Sequence, residues 1–350
     1  MTKPTLILDP DWRQMDELFS PAARSVLFAT YTVIWGQDGP IPHRLLHDEL
    51  PNAAVLIAAN PVVDQATIDR APHLKAVIEV SGSFPDTIDY AACAAAGIEV
   101  LTCAPGFRQS VAEMGLAMAL AGGRGLVSEH EAFRHGRENW LSDNENTDFT
   151  LFGARVGFIG FGQIAQEICR LMAPFAPDIL AYDPWLPDAV ATQFGAQLTD
   201  LDDVLAQARC LFVAAVPTRE NHHLLGADKL ALMPQDALLI LLSRAHLVDF
   251  AALTECVRAG RIRAAIDVFP HEPVPADDPI RQLGNAIFSP HRAAAVAGGR
   301  QLIGDMIIDD LAHIMAGDAT RRLGLADAEK IASLAGVGDA AQVTSMAKER

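Results

Sequence analysis

The sequence predicts two doubly wound α/β domains, each built on a parallel sheet and one inserted into the other. Three observations carry that expectation. At 350 residues the chain is too long for one ordinary domain and fits two. Short runs of Val, Ile and Leu on consecutive positions alternate with helical stretches, as in parallel strands buried on both faces. A second such series opens in mid-chain on Val156-Gly157-Phe158-Ile159-Gly160-Phe161-Gly162-Gln163-Ile164-Ala165, where a strand meets a glycine-rich turn.

In chain order, the first series has strands expected at residues 5–8, 54–59, 75–80 and 98–102, with helices such as 85–96 between them. A long helical pattern at 110–125 ends on Gly122-Gly123-Arg124-Gly125, a glycine cluster that follows a helix and reads as its end. Residues 134–148 are polar and read as a surface excursion. The second series begins at 155–159 and continues with strands at 179–182, 210–214, 238–242, 264–267 and 286–288. A helix at 301–317 and a polar tail close the chain, and that helix is expected to return to the first domain. The boundaries expected are 1–112 with 300–350 for one domain and 113–299 for the inserted one.

Composition excludes several functions. Half the residues are hydrophobic, enough for two sizeable cores, and the formal net charge is −17. So acidic a surface repels nucleic acid and anionic lipid, and neither is an expected partner. No apolar run reaches the roughly 18 residues of a membrane span. The start, Met1-Thr2-Lys3-Pro4-Thr5-Leu6-Ile7-Leu8-Asp9, reads as a first strand and lacks the pattern of a signal peptide, so the expected location is cytoplasmic. Five cysteines without a C-x-x-C pair are expected to be buried thiols. His130 and His135 imitate a zinc motif but are five residues apart, about 500° around a helix, so no metal site is expected.

A lone glycine triplet is weak evidence; here a strand precedes it and a helix follows. Gly160 permits the tight turn, Gly162 lets backbone approach a pyrophosphate, and Ala165 allows helix to pack on strand. The helix start at Gln163 and Ile164 offers free N–H groups and a partial positive charge to phosphates. Asp183 closes the next strand, where a carboxylate would accept hydrogen bonds from a ribose. It would repel a 2′-phosphate, which favours NAD over NADP. The alternative is an ordinary βα turn with no ligand.

Three later strands each end on a distinctive residue. Leu239-Ile240-Leu241-Leu242-Ser243-Arg244-Ala245-His246-Leu247-Val248-Asp249 places an arginine where it could grip a carboxylate with two parallel bonds. Ala265-Ile266-Asp267-Val268-Phe269-Pro270-His271-Glu272-Pro273 carries two acids, and Phe288-Ser289-Pro290-His291-Arg292-Ala293 a histidine. Taken singly, Arg244 reads equally well as a surface ion-pair partner, Glu272 as a loop acid and His291 as a helix cap.

In this order, downstream of the glycine motif, these segments resemble the D-isomer-specific 2-hydroxyacid dehydrogenase family. The likeness runs from about residue 50 to 310, and Ser110-Val111-Ala112-Glu113 resembles the family's entry into its long interdomain helix. The resemblance implies two Rossmann-like domains, an NAD-binding one inserted into a flavodoxin-like substrate domain. It implies NAD-dependent hydride transfer to or from a small 2-hydroxy or 2-oxo acid. Arg244 would bind the substrate carboxylate and carbonyl, His291 would be the general acid–base, and Glu272 would orient it and favour its protonated form. Imidazole suits that task because its reference pKa is about 6.5. Asp267 resembles an acid that contacts the nicotinamide amide. Val216, Pro217 and Thr218 resemble the cofactor-facing loop, and Leu242 and Ser243 lie beside it.

The resemblance further implies that backbone N–H groups in Ser81-Gly82-Ser83-Phe84-Pro85-Asp86 hold the substrate carboxylate. Phe84 stands where a second glycine is usual and would narrow the pocket. Ala245 replaces a usual glycine and Leu241 a frequent asparagine. Glu272 departs from formate dehydrogenase, a relative by fold with glutamine there. The tail after about residue 320 is short for the regulatory domain that many phosphoglycerate dehydrogenases append. A homodimer through residues 115–148 is expected. The rival from another class is an NAD-sensing, corepressor-like interaction protein without significant turnover.

Overall fold

Alternation along each strand sends neighbouring side chains to opposite faces, and in this chain both faces are buried. The computed structural model describes residues 2–141 and 148–334. The expected polar excursion at Asp143, Asn144, Glu145 and Asn146, and the tail beyond 334, lie outside the described residues. The chain separates into two compact units, residues 1–108 with 296–350, and residues 109–295.

The first unit holds β1 (Thr5–Asp9), β2 (Thr32–Trp35), β3 (Ala53–Ala58), β4 (Ala76–Glu79), β5 (Glu99–Thr102) and, after the second unit in sequence, β13 (Gly324–Leu325). Their order is β13-β5-β4-β3-β1-β2, parallel except for β13 against β5. Leu6, Leu8, Val55, Ile57, Ala76, Ile78 and Leu101 face one core. Ile7, Leu56, Val77 and Val100 face the other. The helix Gln301–Ala316 covers the first of these faces with Ile303, Met306, Ile307, Leu311 and Ile314. Gly304 lets it approach closely, since a Cβ there would lie 2.4 Å from the Leu18 carbonyl oxygen.

The second unit holds β6 (Arg155–Ile159), β7 (Asp178–Tyr182), β8 (Ala196–Leu198), β9 (Cys210–Val213), β10 (Leu238–Leu241), β11 (Arg263–Ile266) and β12 (Ala286–Phe288). All pairs are parallel, in the order β12-β11-β10-β9-β6-β7-β8. Phe158 stacks on Phe212 at 5.0 Å on one face, while Leu211, Val213, Leu239, Leu241 and Ile266 form the core on the other. The helix Arg108–Gly123 ends at the glycine cluster, and Gly125 turns with φ +56. Gly115 and Gly122 press it onto Leu242 and Leu238 of β10 and its continuation.

Expected strands fall within one residue of those observed. The helix expected at 85–96 is shorter, Tyr90–Ala95, because Asp89 caps its start by accepting from the Ala92 N–H. Ahead of it, Ile88 is bridged to Val63. All five cysteines are free thiols, and burial pushes Cys169 and Cys210 up to about 12. Among the described residues no helix is long and apolar enough to cross a membrane, and no group of three His, Cys, Asp or Glu side chains could hold a metal ion.

Candidate active site

Adjacent parallel strands end at the same edge of their sheet, so residues just past β10, β11 and β12 become neighbours. Asp267 follows β11 and is 1% exposed. Its carboxylate accepts from the Ser289 hydroxyl at 2.5 Å, the Arg292 N–H at 2.9 Å and the Ala293 N–H at 3.2 Å. Its carbonyl accepts the His291 N–H at 2.8 Å. One acid thus fastens the whole turn after β12, which carries His291 at φ +50, a conformation non-glycine residues seldom adopt. Asp267 was expected to face a nicotinamide amide; the structure places its carboxylate under the histidine turn.

His291 Nδ1 lies 2.7 Å from Glu272 Oε2, and Glu272 Oε1 accepts the Phe269 N–H at 2.9 Å. A carboxylate can only accept, so Nδ1 carries the proton and Nε2 is the nitrogen left for chemistry. Burial pushes the Glu272 carboxyl up. The His291 hydrogen bond and charge, the Phe269 N–H and the Arg244 guanidinium outweigh it and hold Glu272 below the ordinary glutamate value. Arg244 is extended and half-buried past the end of β10, and its Nη1 donates to the Ser243 carbonyl at 2.8 Å. Ser243 Oγ is buried, with no hydrogen-bond partner among the described residues.

The same sheet edge carries the glycine motif. Gly160 has φ +81, and a Cβ there would lie 2.3 Å from Ala215 Cα. Gly162 instead faces open space, with nothing within 4 Å of an added Cβ. No side chain caps the helix Gln163–Met172, so the first-turn N–H groups of Gln163 and Ile164 are left for an external acceptor. Ala165 is fully buried against the sheet. Asp183 braces the turn: Oδ2 accepts the Phe161 N–H at 2.9 Å and Oδ1 the Trp185 N–H at 3.1 Å. A carboxylate has about four acceptor positions, so two remain for ribose hydroxyls. An open glycine, an uncapped helix start and an acid with spare lone pairs fit a dinucleotide.

After β9, Val216 and Pro217 are accessible and Thr218 is buried. Asn221, which sequence reasoning missed, clamps this loop by donating to the Val216 carbonyl and accepting the Thr218 N–H, both at 2.8 Å. His246 Nε2 donates to the Thr218 carbonyl at 2.8 Å.

In the first unit, the loop expected to hold a substrate carboxylate directs its backbone N–H groups at a side chain of the protein itself. The N–H groups of Ser81, Gly82 and Ser83 all donate to Glu79, the last residue of β4; those from Gly82 and Ser83 measure 2.8 Å. Phe84 is buried and meets Tyr90 edge-on at 6.3 Å, so it packs inward. Glu79 was also missed. Its signal was an acid inside an apolar strand buried on both faces, which demands partners.

Residues 116–293 match the model of the D-isomer specific 2-hydroxyacid dehydrogenase, NAD binding domain. The D-3-phosphoglycerate dehydrogenase of Methanocaldococcus jannaschii is 30% identical over 276 residues, 78% of this chain and 52% of that protein. The glyoxylate reductase of Korarchaeum cryptofilum is 25% identical over 289 residues, 81% of this chain and 86% of that one. The chain spans about half the length of the phosphoglycerate dehydrogenases it matches. A crystal structure of a phosphoglycerate oxidoreductase from Rhizobium etli matches with a TM-score of 0.82 and 34% identity, covering 93% of this chain and 99% of that one. On these grounds the chain belongs to the D-isomer specific 2-hydroxyacid dehydrogenase family, and its second unit carries the NAD-binding domain.

Proposed function

We propose that this protein interconverts a D-2-hydroxy acid and the corresponding 2-oxo acid. The observation that carries the reading is the 2.7 Å His291–Glu272 contact, on the strand edge that also bears the glycine motif. NAD, held by Gly160, Gly162, Gln163, Ile164 and Asp183, supplies the hydride acceptor or donor. Arg244 grips the substrate carboxylate and polarises the C2 oxygen with its forked guanidinium. His291 Nε2 takes the C2 hydroxyl proton in oxidation and returns it in reduction. Glu272 fixes the ring and stabilises the charge that forms on it. Asp267 acts as a positioning residue for the His291 turn. Asp183 favours NAD over NADP by repelling a 2′-phosphate.

A homodimer through residues 115–148 is supported by Leu126, Phe133, Trp140 and Leu141, all large and exposed.

The test is turnover of NADH with a panel of glyoxylate, hydroxypyruvate, pyruvate and longer 2-oxo acids. His291→Ala should lower kcat roughly 10²–10⁴-fold while NADH affinity stays within about threefold. NADH binding without turnover on any member of the panel would sink the enzyme reading and favour an NAD-sensing interaction protein.

A further inference from the structure

Neighbouring strands β9 and β10 release two segments at one sheet edge, residues 214–225 and 242–249, and these run on side by side. Their backbones stay paired. The Leu225 N–H donates to the Leu247 carbonyl at 2.9 Å, the Asp249 N–H to the Leu225 carbonyl at 3.1 Å, and the His223 N–H to the His246 carbonyl at 2.9 Å. From His223 back toward β9 the pairing passes to a side chain. His246 Nε2 lies 2.8 Å from the Thr218 carbonyl oxygen. A carbonyl only accepts, so Nε2 bears a proton in this contact. The Thr218 N–H in turn donates to Asn221 Oδ1, and the Asn221 amide to the Val216 carbonyl, both at 2.8 Å. One chain of bonds thus runs from the His246 ring to Val216, which is 57% exposed. The exposed ring of His222 packs edge-on against the same imidazole, 4.7 Å away.

We infer that His246 is a positioning residue for the cofactor: its ring latches the Val216–Thr218 loop to the turn that begins at Arg244, and so sets how tightly NAD is held. This rests on the reading above of that loop as cofactor-facing. Of the two ends, the turn is the fixed one, because Ala245, Leu247 and Val248 are buried around His246. Losing the ring therefore frees the loop and leaves Arg244 where it is. A loop that has to be ordered as NAD binds costs affinity, and one held in advance does not. His291 and Glu272 follow other strands and are held by other bonds, so the chemical step does not pass through the latch.

The test compares His246→Leu, His246→Asn and His246→Gln in the full chain. The glutamine amide nitrogen stands about where Nε2 does and can donate to Thr218; the asparagine amide stands nearer Nδ1 and falls short. His246→Leu and His246→Asn should each weaken NADH, by fluorescence titration, roughly five- to tenfold, the worth of one hydrogen bond. Their kcat at saturating NADH should stay within about threefold of the wild type. Amide hydrogen exchange in residues 216–222 should quicken in both, with residues 238–241 unchanged. His246→Gln should restore NADH affinity and exchange to within about threefold. Glutamine no better than leucine, or a lower Tm with NADH affinity unchanged, would overturn the proposal, as would a loss in kcat larger than the loss in affinity. A wild type that binds no NADH would discard the cofactor role, and the exchange data would then decide by themselves whether His246 latches the loop.

Discussion

Two loops in this molecule use the same backbone device to opposite ends. Each follows a parallel strand, turns on a glycine with positive φ (Gly160 at +81, Gly82 at +97), and gathers backbone N–H groups at the strand's carboxyl end. After β6 the acid, Asp183, braces the loop from the side by taking the Phe161 N–H, and the helix start beyond it has no side-chain cap. After β4 the acid, Glu79, sits inside the loop and takes the Ser81, Gly82 and Ser83 N–H groups itself. The lesson is that an N–H cluster at a strand end is not by itself a ligand site. What decides is whether the chain's own carboxylate lies beside the cluster or within it.

The glycines offer the strongest way to break this comparison. Gly82→Ala strains a positive φ and drives a Cβ to 2.7 Å from the Phe107 ring. It should cost about 1–3 kcal/mol of stability, read as a lower urea midpoint, with NADH affinity unchanged. Gly162→Ala is expected to do the reverse. Its φ of −74 suits alanine and its Cβ meets open space, so Tm should hold. NADH affinity, followed by fluorescence titration, should fall roughly tenfold, about 1.4 kcal/mol, because the methyl takes the space the pyrophosphate needs. If both variants lose stability alike, the glycine loop is as closed as the other, and the contrast fails.

The smallest effect concerns pH. Glu272 has its folded value lowered, so it contributes stability above its unfolded value of about 4.3, and that contribution is lost as pH falls through the lowered folded value. Glu272→Gln should therefore narrow its stability gap to the wild type as pH drops from about 6 to 3. A gap that stays constant across that window would show that the pair contributes nothing through its charge.

Much of this architecture could be read in advance, and for a physical reason. Runs such as Leu6-Ile7-Leu8 and Leu238-Leu239-Ile240-Leu241 have to be buried on both faces, which leaves little besides a covered parallel sheet. The strands that escaped notice are short and lie at sheet edges: β2, β8 and β13. β2 is only partly buried, so its pattern is diluted. The helix Leu126–Arg134 escaped because it has no buried residue and hence no core stripe to read. At the candidate site, the resemblance of three strand-end motifs singled out Arg244, Glu272 and His291, whose strands are sheet neighbours. Spacing could not show that Asp267 points under the histidine turn or that Glu79 points into its loop. Both are matters of side-chain direction at a strand end, where the alternation that orders a strand has stopped.

The helix Gln301–Ala316 has a consequence for the order in which the protein is made. The second unit is continuous in sequence, residues 109–295, and every strand of its sheet has been synthesised before that helix emerges. The first unit is not continuous: one face of its sheet is covered in part by Ile303, Met306, Ile307, Leu311 and Ile314, which come off the ribosome after the whole second unit. During translation residues 1–108 therefore carry an apolar sheet face covered only in part, by Met15, Leu18, Phe19 and Leu27, while the inserted unit folds. The usual N-to-C order of completion is inverted, and the nascent chain needs protection until that helix arrives.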